Sequence, residues 1–249
     1  VPSALRSRGR RRWVRRLLGT CCGLLALVVL ACAALYVATP SVADAPARVR
    51  ALAREHHAGH VDAPVPRAFA EAIVASEDSR FYSEPGIDPI GIVRAAWLGL
   101  THSGVDGGGS TISQQLAKVL YTDGRSGLRR DVEQVALAVK LNLHFSKPQI
   151  LRMYAASVYF GHGFYGLHHA SCGYFGVPPE ALTLSQASLL AGLVQAPSAY
   201  DPLAHLGLAR ARQRYVLGRL LADSRISRAR FRRALHAPLH LTSGGCAAG

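Results

Sequence analysis

Hydrophobic and polar positions follow a helical rhythm along most of this chain, interrupted by one long apolar block near its start. Leu17 to Ala38 is a run of 22 residues without a charge. As a helix it would extend roughly 33 Å, enough to cross a bilayer core of about 30 Å. The apolar region of a cleaved signal peptide is usually only about 7–15 residues. The A-x-A-like site Ala31-Cys32-Ala33 lies inside the run, not after it, so an uncleaved anchor is expected. Prolines at 40, 46, 64 and 66 mark residues 39–61 as a linker leading into a folded part. From there Phe69, Ile73 and Val74 share one helix face, and that helix meets polar residues at Glu77-Asp78. Ile92, Ala95, Ala96 and Leu100 predict a second helix over 88–100, and Thr101 to Gly109, with four glycines, reads as a mobile loop. Further helices are predicted over Thr111–Tyr121, Leu128–Phe145, Lys147–Tyr159 (capped by Ser146, with Pro148 in its first turn) and Leu184–Val194, the last nearly uncharged and so central. Strand-forming runs are scarce. The fold class expected is mainly α, with an N-terminal transmembrane helix.

Charge adds direction. The 249 residues carry 29 Lys+Arg against 15 Asp+Glu, a net charge of +14, and residues 1–16 hold seven arginines and no acid. An arginine-rich arm could serve nucleic acid, but directly before a spanning helix positive flanks set topology. The tail 1–16 is therefore placed in the cytoplasm, the span at 17–38, and everything later outside; nucleic acid is not an expected partner. Residues 210–233 carry nine arginines and one acid, Asp223. Two readings stay open there: a solvated helix face, or a face held against anionic lipid. The five cysteines, at 21, 22, 32, 172 and 246, contain no C-x-x-C, which excludes zinc ribbons and thioredoxin-type motifs. At most one bond, Cys172–Cys246, is left, and sequence does not decide it. The histidines at 56, 57, 60, 162, 168 and 169 invite a metal reading, but His56 and His60, at i,i+4 spacing, have no carboxylate or cysteine partner placed beside them, and metal ligation is not assigned.

Gly107 to Lys118, GGGSTISQQLAK, is the most unusual stretch. A glycine-rich turn opening a helix presents free N–H groups and a positive dipole end to an anion. It is no Walker loop, because its lysine stands nine residues past the last glycine. Gln114 and Lys118 are i,i+4 and share a face. They suggest a phosphate held by backbone and Lys118, with Gln114 and Gln115 orienting something polyhydroxylated; a flexible linker before a capped helix is the plainer reading. Arg129 and Glu133 are also i,i+4, which on pattern alone reads as a surface pair. Glu77 closes an apolar helix, where partial burial would raise its pKa and let it take a proton.

These segments, in this order, resemble the glycosyltransferase family 51 domain, the peptidoglycan glycosyltransferase of monofunctional enzymes and class A penicillin-binding proteins. The resemblance covers roughly 62–205. The first motif of that family, E-D-x-x-F-x-x-H-x-G, is met from Glu77-Asp78 through Phe81 to Gly86 except at Glu84. The second, G-x-S-T-I-x-Q-Q-x-x-K, is complete from Gly108 to Lys118, and R-K-x-x-E is met by Arg129-Arg130-x-x-Glu133 with Arg for Lys. Tyr159-Phe-Gly-His-Gly-Phe-Tyr-Gly, Tyr174-Phe-Gly and Leu189-Leu-Ala-Gly-Leu also follow the family. The fourth motif, K-x-x-I-L-E-x-Y-L-N, departs at Arg152, Ala155 and Ala156, and Asn142 stands where a glutamate is common. The three lysines, at 118, 140 and 147, fit neither S-x-x-K nor K-T-G, so no penicillin-binding transpeptidase motif is present in these residues.

The resemblance implies a lysozyme-like bilobal domain at 62–205, with 206–249 a basic helical extension. It implies an inverting hexosyltransferase that joins lipid II units into glycan strands and releases undecaprenyl pyrophosphate, acting on the outer face of a bacterial cytoplasmic membrane. Glu77 would be the general base. Lys118, Arg129 and Arg130 would meet the diphosphate, with Ser110, Thr111, Gln114, Gln115, Asp78 and Phe81 lining the substrate site. Glu133 would act beside them, as the candidate ligand of a divalent cation, magnesium or manganese; no organic cofactor is implied. The growing glycan strand, the membrane and other cell-wall synthesis proteins are the partners implied. The alternative is a degenerate lipid II-binding or scaffold protein of the same machinery.

Overall fold

The computed structural model describes residues 3–59, 61–88, 110–125, 127–242 and 246. Apart from Asp88, the helix expected over 88–100 and the loop expected over 101–109 lie outside these residues. The chain divides into two compact units, 1–40 and 41–249. The first is one helix, α1 (Ser3–Ala38), whose apolar stretch Leu18–Ala38 is long enough to cross a membrane and is not buried by protein. Leu24, Leu27 and Leu30 are about two-thirds exposed, which fits side chains that face lipid.

The second unit is helical, and its described residues contain no strand, only an isolated antiparallel bridge between Tyr159 and Tyr165. Its helices are α2 (Ala45–Glu55), α3 (Arg67–Glu77), α4 (Ile112–Tyr121), α5 (Leu128–His144), α6 (Lys147–Ser157), α7 (Leu167–Phe175), α8 (Leu184–Leu193), α9 (Leu206–Ala222) and α10 (Arg228–His236). Their starts are written in the sequence. Thr111 with Gln114, and Thr183 with Gln186, form reciprocal capping boxes that satisfy the first free N–H groups of α4 and α8.

The uncharged α8 is the centre, as its composition predicted: every residue from Ser185 to Leu193 is buried. Helices α3 and α9 pack on it and on each other. A second layer, α4 with α5 and α6, joins it through a continuous core that includes Phe69, Ile73, Leu116, Leu137, Tyr154 and Leu190. Each such side chain contributes about 1.5–3 kcal/mol on burial.

Helix α2 forms within the stretch assigned from sequence to a linker, and it packs on α6. Helix α9, in the stretch assigned to an extension, places Ala209, Val216, Leu217 and Leu220 in the same core. The tail returns to the body: Gln186 donates to the Leu239 carbonyl at 3.0 Å, Thr242 N donates to the Tyr174 carbonyl at 2.9 Å, and Cys172 and Cys246 are disulfide-bonded. The bond that sequence left open is formed.

Candidate active site

Helix α3 is pinned on α8 and α9 by Phe69, Ala72, Ile73 and Val74. It stops at Asp78, which has left helical geometry, so Glu77 stands at the last turn facing neighbouring elements. Two of them grip its carboxylate. Gln115 Nε2 of α4 donates to Oε2 at 3.2 Å, and Arg212 Nη2 of α9 reaches Oε1 at 3.2 Å. The amide of Gln115 is itself oriented, because the fully buried Tyr154 donates its hydroxyl to Gln115 Oε1 at 2.7 Å. With the oxygen taken, the nitrogen must point at Glu77. The Glu77 side chain is only 11% exposed. Burial raises its pKa above the usual carboxylate range, and the Gln115 bond and the Arg212 charge pull against that without cancelling it. The result is a fixed, desolvated carboxylate with a raised proton affinity, the property a general base needs.

Lys118 lies one turn beyond Gln115 on α4, its Cβ roughly 5–6 Å away by helix geometry. It is half-buried, with no carboxylate within 4 Å among the described residues. Helix α5 packs beside α4 and carries Arg129, exposed, and Arg130, whose Nη1 is 3.8 Å from Glu133 Oε2. Ser110 is exposed just before the α4 cap.

Four residues expected to line the substrate site, Asp78, Phe81, Thr111 and Gln114, are buried against neighbouring elements. Phe81 has no accessible surface, and its ring carries Lys147 Nζ at 4.6 Å from the centroid. Thr111 Oγ1 and Gln114 Oε1 accept the cap hydrogen bonds of α4, and Thr111 Oγ1 also donates to the Gly86 carbonyl at 2.8 Å. Asp78 accepts from the Ile112 amide at 3.0 Å, fixing the start of α4 to the end of α3. Gly86 closes this arrangement at φ 102°, where a Cβ would sit 2.6 Å from the Ala138 carbonyl oxygen, so only glycine fits.

Behind Asp78 lies a buried charged pocket. Glu84 and Lys147 are both there: Glu84 faces the Asp78 carboxyl, and Lys147 Nζ has no hydrogen-bond partner among the described residues. Burial first, and the Asp78 charge second, push the Glu84 carboxyl up to about 8, while Lys147 pulls the other way. Arg80 pairs with Asp88 at the pocket edge. Asn142 donates to Ser113 Oγ at 2.7 Å and to the Ala138 carbonyl at 2.8 Å, tying α5 to α4.

With this geometry in place, comparison with known proteins is decisive. Residues 47–221 match the transglycosylase family over their whole span. The chain belongs to the transglycosylase family. A Cupriavidus necator protein named "Putative transglycosylase" is 41% identical over 177 residues, covering 71% of this chain and 76% of that one. Penicillin-binding protein 1A of Haemophilus influenzae is 37% identical over 177 residues, and that of Escherichia coli 38% over 167. The chain spans about a fifth of the length of these two relatives. The crystal structure of the Haemophilus influenzae protein aligns with 72% of this chain and 17% of its own, with a TM-score of 0.43 at 22% identity.

The transglycosylase match takes in most of α2 and of α9, and α9 carries the residue that sequence reasoning missed. Arg212 was one of nine arginines in a run read as solvated or lipid-facing. Yet Ala209, Gln213, Val216, Leu217 and Leu220 form the buried stripe of α9, and Arg212 sits one turn before Val216 on it. An arginine placed on an apolar stripe was the available signal. Gly192 of α8 leaves room for its stem: a Cβ there would be 3.0 Å from Arg212 Cγ.

Proposed function

We propose that this chain is a membrane-anchored peptidoglycan glycosyltransferase that polymerises lipid II into glycan strands and releases undecaprenyl pyrophosphate. Family membership supports glycosyl transfer, and the observation that carries the finer reading is the Glu77 carboxylate: buried, and gripped on both oxygens, one of them by Gln115, which stands one helical turn before Lys118 on α4. In this reading each Glu77 oxygen keeps a lone pair beyond its present bond. One takes the proton of the acceptor's 4-hydroxyl as that oxygen attacks C1 of the growing strand, worth about 10²–10⁴-fold. Attack from the face opposite the diphosphate inverts the anomeric carbon. Negative charge then grows on the leaving diphosphate, and in this reading Lys118, Arg129 and Arg130 are the cations that meet it. Ser110 and Gln115 are the polar groups left for the sugars.

The described residues hold no cluster of three metal-ligating side chains, but Glu133 is a carboxylate beside the diphosphate cations. That suits magnesium or manganese held by one carboxylate and substrate phosphates, which would neutralise charge on the leaving group. Topology is part of the same proposal. Seven arginines before the span favour a cytoplasmic N-terminus, and the Cys172–Cys246 bond suits an oxidising compartment for the second unit.

A second reading, a lipid II-binding scaffold protein, is favoured by one feature: Glu84, Asn142, Arg152, Ala155 and Ala156 all depart from the pattern the chain resembles. Labelled lipid II incubated with the full chain in detergent, with magnesium or manganese, separates the two. Polymer on a gel is expected; bound lipid II without polymer would establish the scaffold.

A further inference from the structure

Helix α2 and the segment after it form an open surface cavity of about 440 Å³ lined by Arg50, Ala53, Arg54, His57, Gly59 and Val61. That volume is within the usual range for small-molecule sites. Its walls are mainly apolar, and its charged groups are arginines with no acid among them. A second cavity, of about 180 Å³, adjoins it through the shared Arg50 and Val61 and brings in Arg152 of α6 with one acid, Asp62. Neighbouring arginines are neutralised: Arg48 pairs with Asp44 at 2.8 Å and Arg67 with Glu71 at 2.7 Å. Arg50, Arg54 and Arg152 have no carboxylate within 4 Å among the described residues. Arg54 spends only its Nε, on the Arg50 carbonyl at 3.2 Å, leaving both terminal nitrogens for another acceptor.

The backbone is committed to this shape. His57 sits at φ 55°, a left-handed conformation uncommon outside glycine, with its ring against the Arg54 carbonyl at 3.3 Å. His56 is held beside it, stacked on Tyr165 with ring centroids 3.6 Å apart. Strain kept in place by the surroundings is found where a site must be held open.

We propose that this double cavity binds the phosphate headgroup of an anionic phospholipid, Arg50, Arg54 and Arg152 taking the phosphate and Ala53 and Val61 the start of the acyl chains. An apolar floor under a cationic rim fits an amphiphile better than a free anion. The source is near: Arg50 follows the end of the apolar span by twelve residues. A chain of that length, part helix, reaches at most roughly 33 Å from the membrane. Arg152 is one of the fourth-motif departures, an acid's place taken by a base, so the site belongs to this chain and not to the sugar chemistry.

The test is a thermal shift of the full chain in neutral detergent, titrated with short-chain phosphatidylglycerol, short-chain phosphatidylcholine or inorganic phosphate. It reads binding without any glycosyl transfer. A saturable rise in Tm with phosphatidylglycerol alone is expected, weakened about fivefold for each arginine removed in R50Q, R54Q and R152E. The Lys pair R50K/R54K should keep most of the affinity, and R228Q/R232Q on the exposed α10 should keep all of it. If R50Q/R54Q fails to fold, R152E and the Lys pair carry the comparison. Equal response to phosphatidylcholine, equal response to inorganic phosphate at the same concentration, or undiminished binding by R152E and the double Gln variant would each overturn the proposal.

Discussion

At the scale of single residues, Glu77 and Glu84 are two buried carboxylates seven positions apart with different surroundings. Glu77 has a guanidinium on one oxygen and an amide on the other; Glu84 has neither. A base must be ionised, so the rate of glycosyl transfer should rise with pH through the raised pKa of Glu77. Arg212→Met removes the cation that opposes this rise, so that limb of the pH–rate profile should move to higher pH; an unmoved or acid-shifted limb would show Arg212 does not set the base. Glu84 acts on stability. The unfolded carboxyl releases its proton near 4.5 and the folded one near 8, so between them the native state binds more protons and stability falls as pH rises. The charged groups facing Glu84 are Asp78, Asp88, Lys147 and Arg80. Glu84→Gln should remove that slope, so its advantage over wild type in urea melts should grow from pH 5 to pH 8. Glu77 was legible in the sequence because it ends an apolar helix. Arg212 was hidden by eight other arginines, and its role exists only because α9 folds back on α3.

At the scale of elements, the site is a matter of how three helix ends meet. Asp78 at the end of α3 bonds the first amide of α4, Thr111 caps α4 and bonds Gly86, and Gly86 lies against α5. Gly86→Ala would put a methyl group 2.6 Å from a backbone oxygen at a φ that L-residues rarely adopt. A loss of roughly 2–4 kcal/mol in unfolding free energy is expected, combining strain and clash; a loss under about 0.5 kcal/mol would mean this junction is not held as described. Helix positions were readable because apolar spacing and capping residues are local. Thr111–Tyr121, Leu128–Phe145 and Leu184–Val194 each differ from α4, α5 and α8 by a single residue at one end. What was not local was lost: the burial of Phe81, Thr111, Gln114 and Asp78 comes from elements tens of residues away, which no motif spacing reports. The α2 segment was read as a linker because its prolines outweighed a short apolar face of Ala45, Val49 and Ala53.

At the scale of the whole molecule, one unit is an apolar helix and the other a helical body closed by a tail. The disulfide joins residues 74 apart in sequence, and in the chain-entropy model a loop of that size contributes about 4 kcal/mol. Reduction, or Cys246→Ser, should therefore lower Tm by several degrees, and a shift within error would mean the tail contributes nothing to the body. The central claim is that Glu77 is the base of a lipid II polymerase. Initial rates of lipid II consumption by the full chain in vesicles, wild type against Glu77→Gln, test it most directly. Glu77→Gln keeps the side chain's size and its contact with Gln115, so folding and substrate binding should persist while the rate falls about 10²–10⁴-fold. A rate within threefold of wild type would contradict the account.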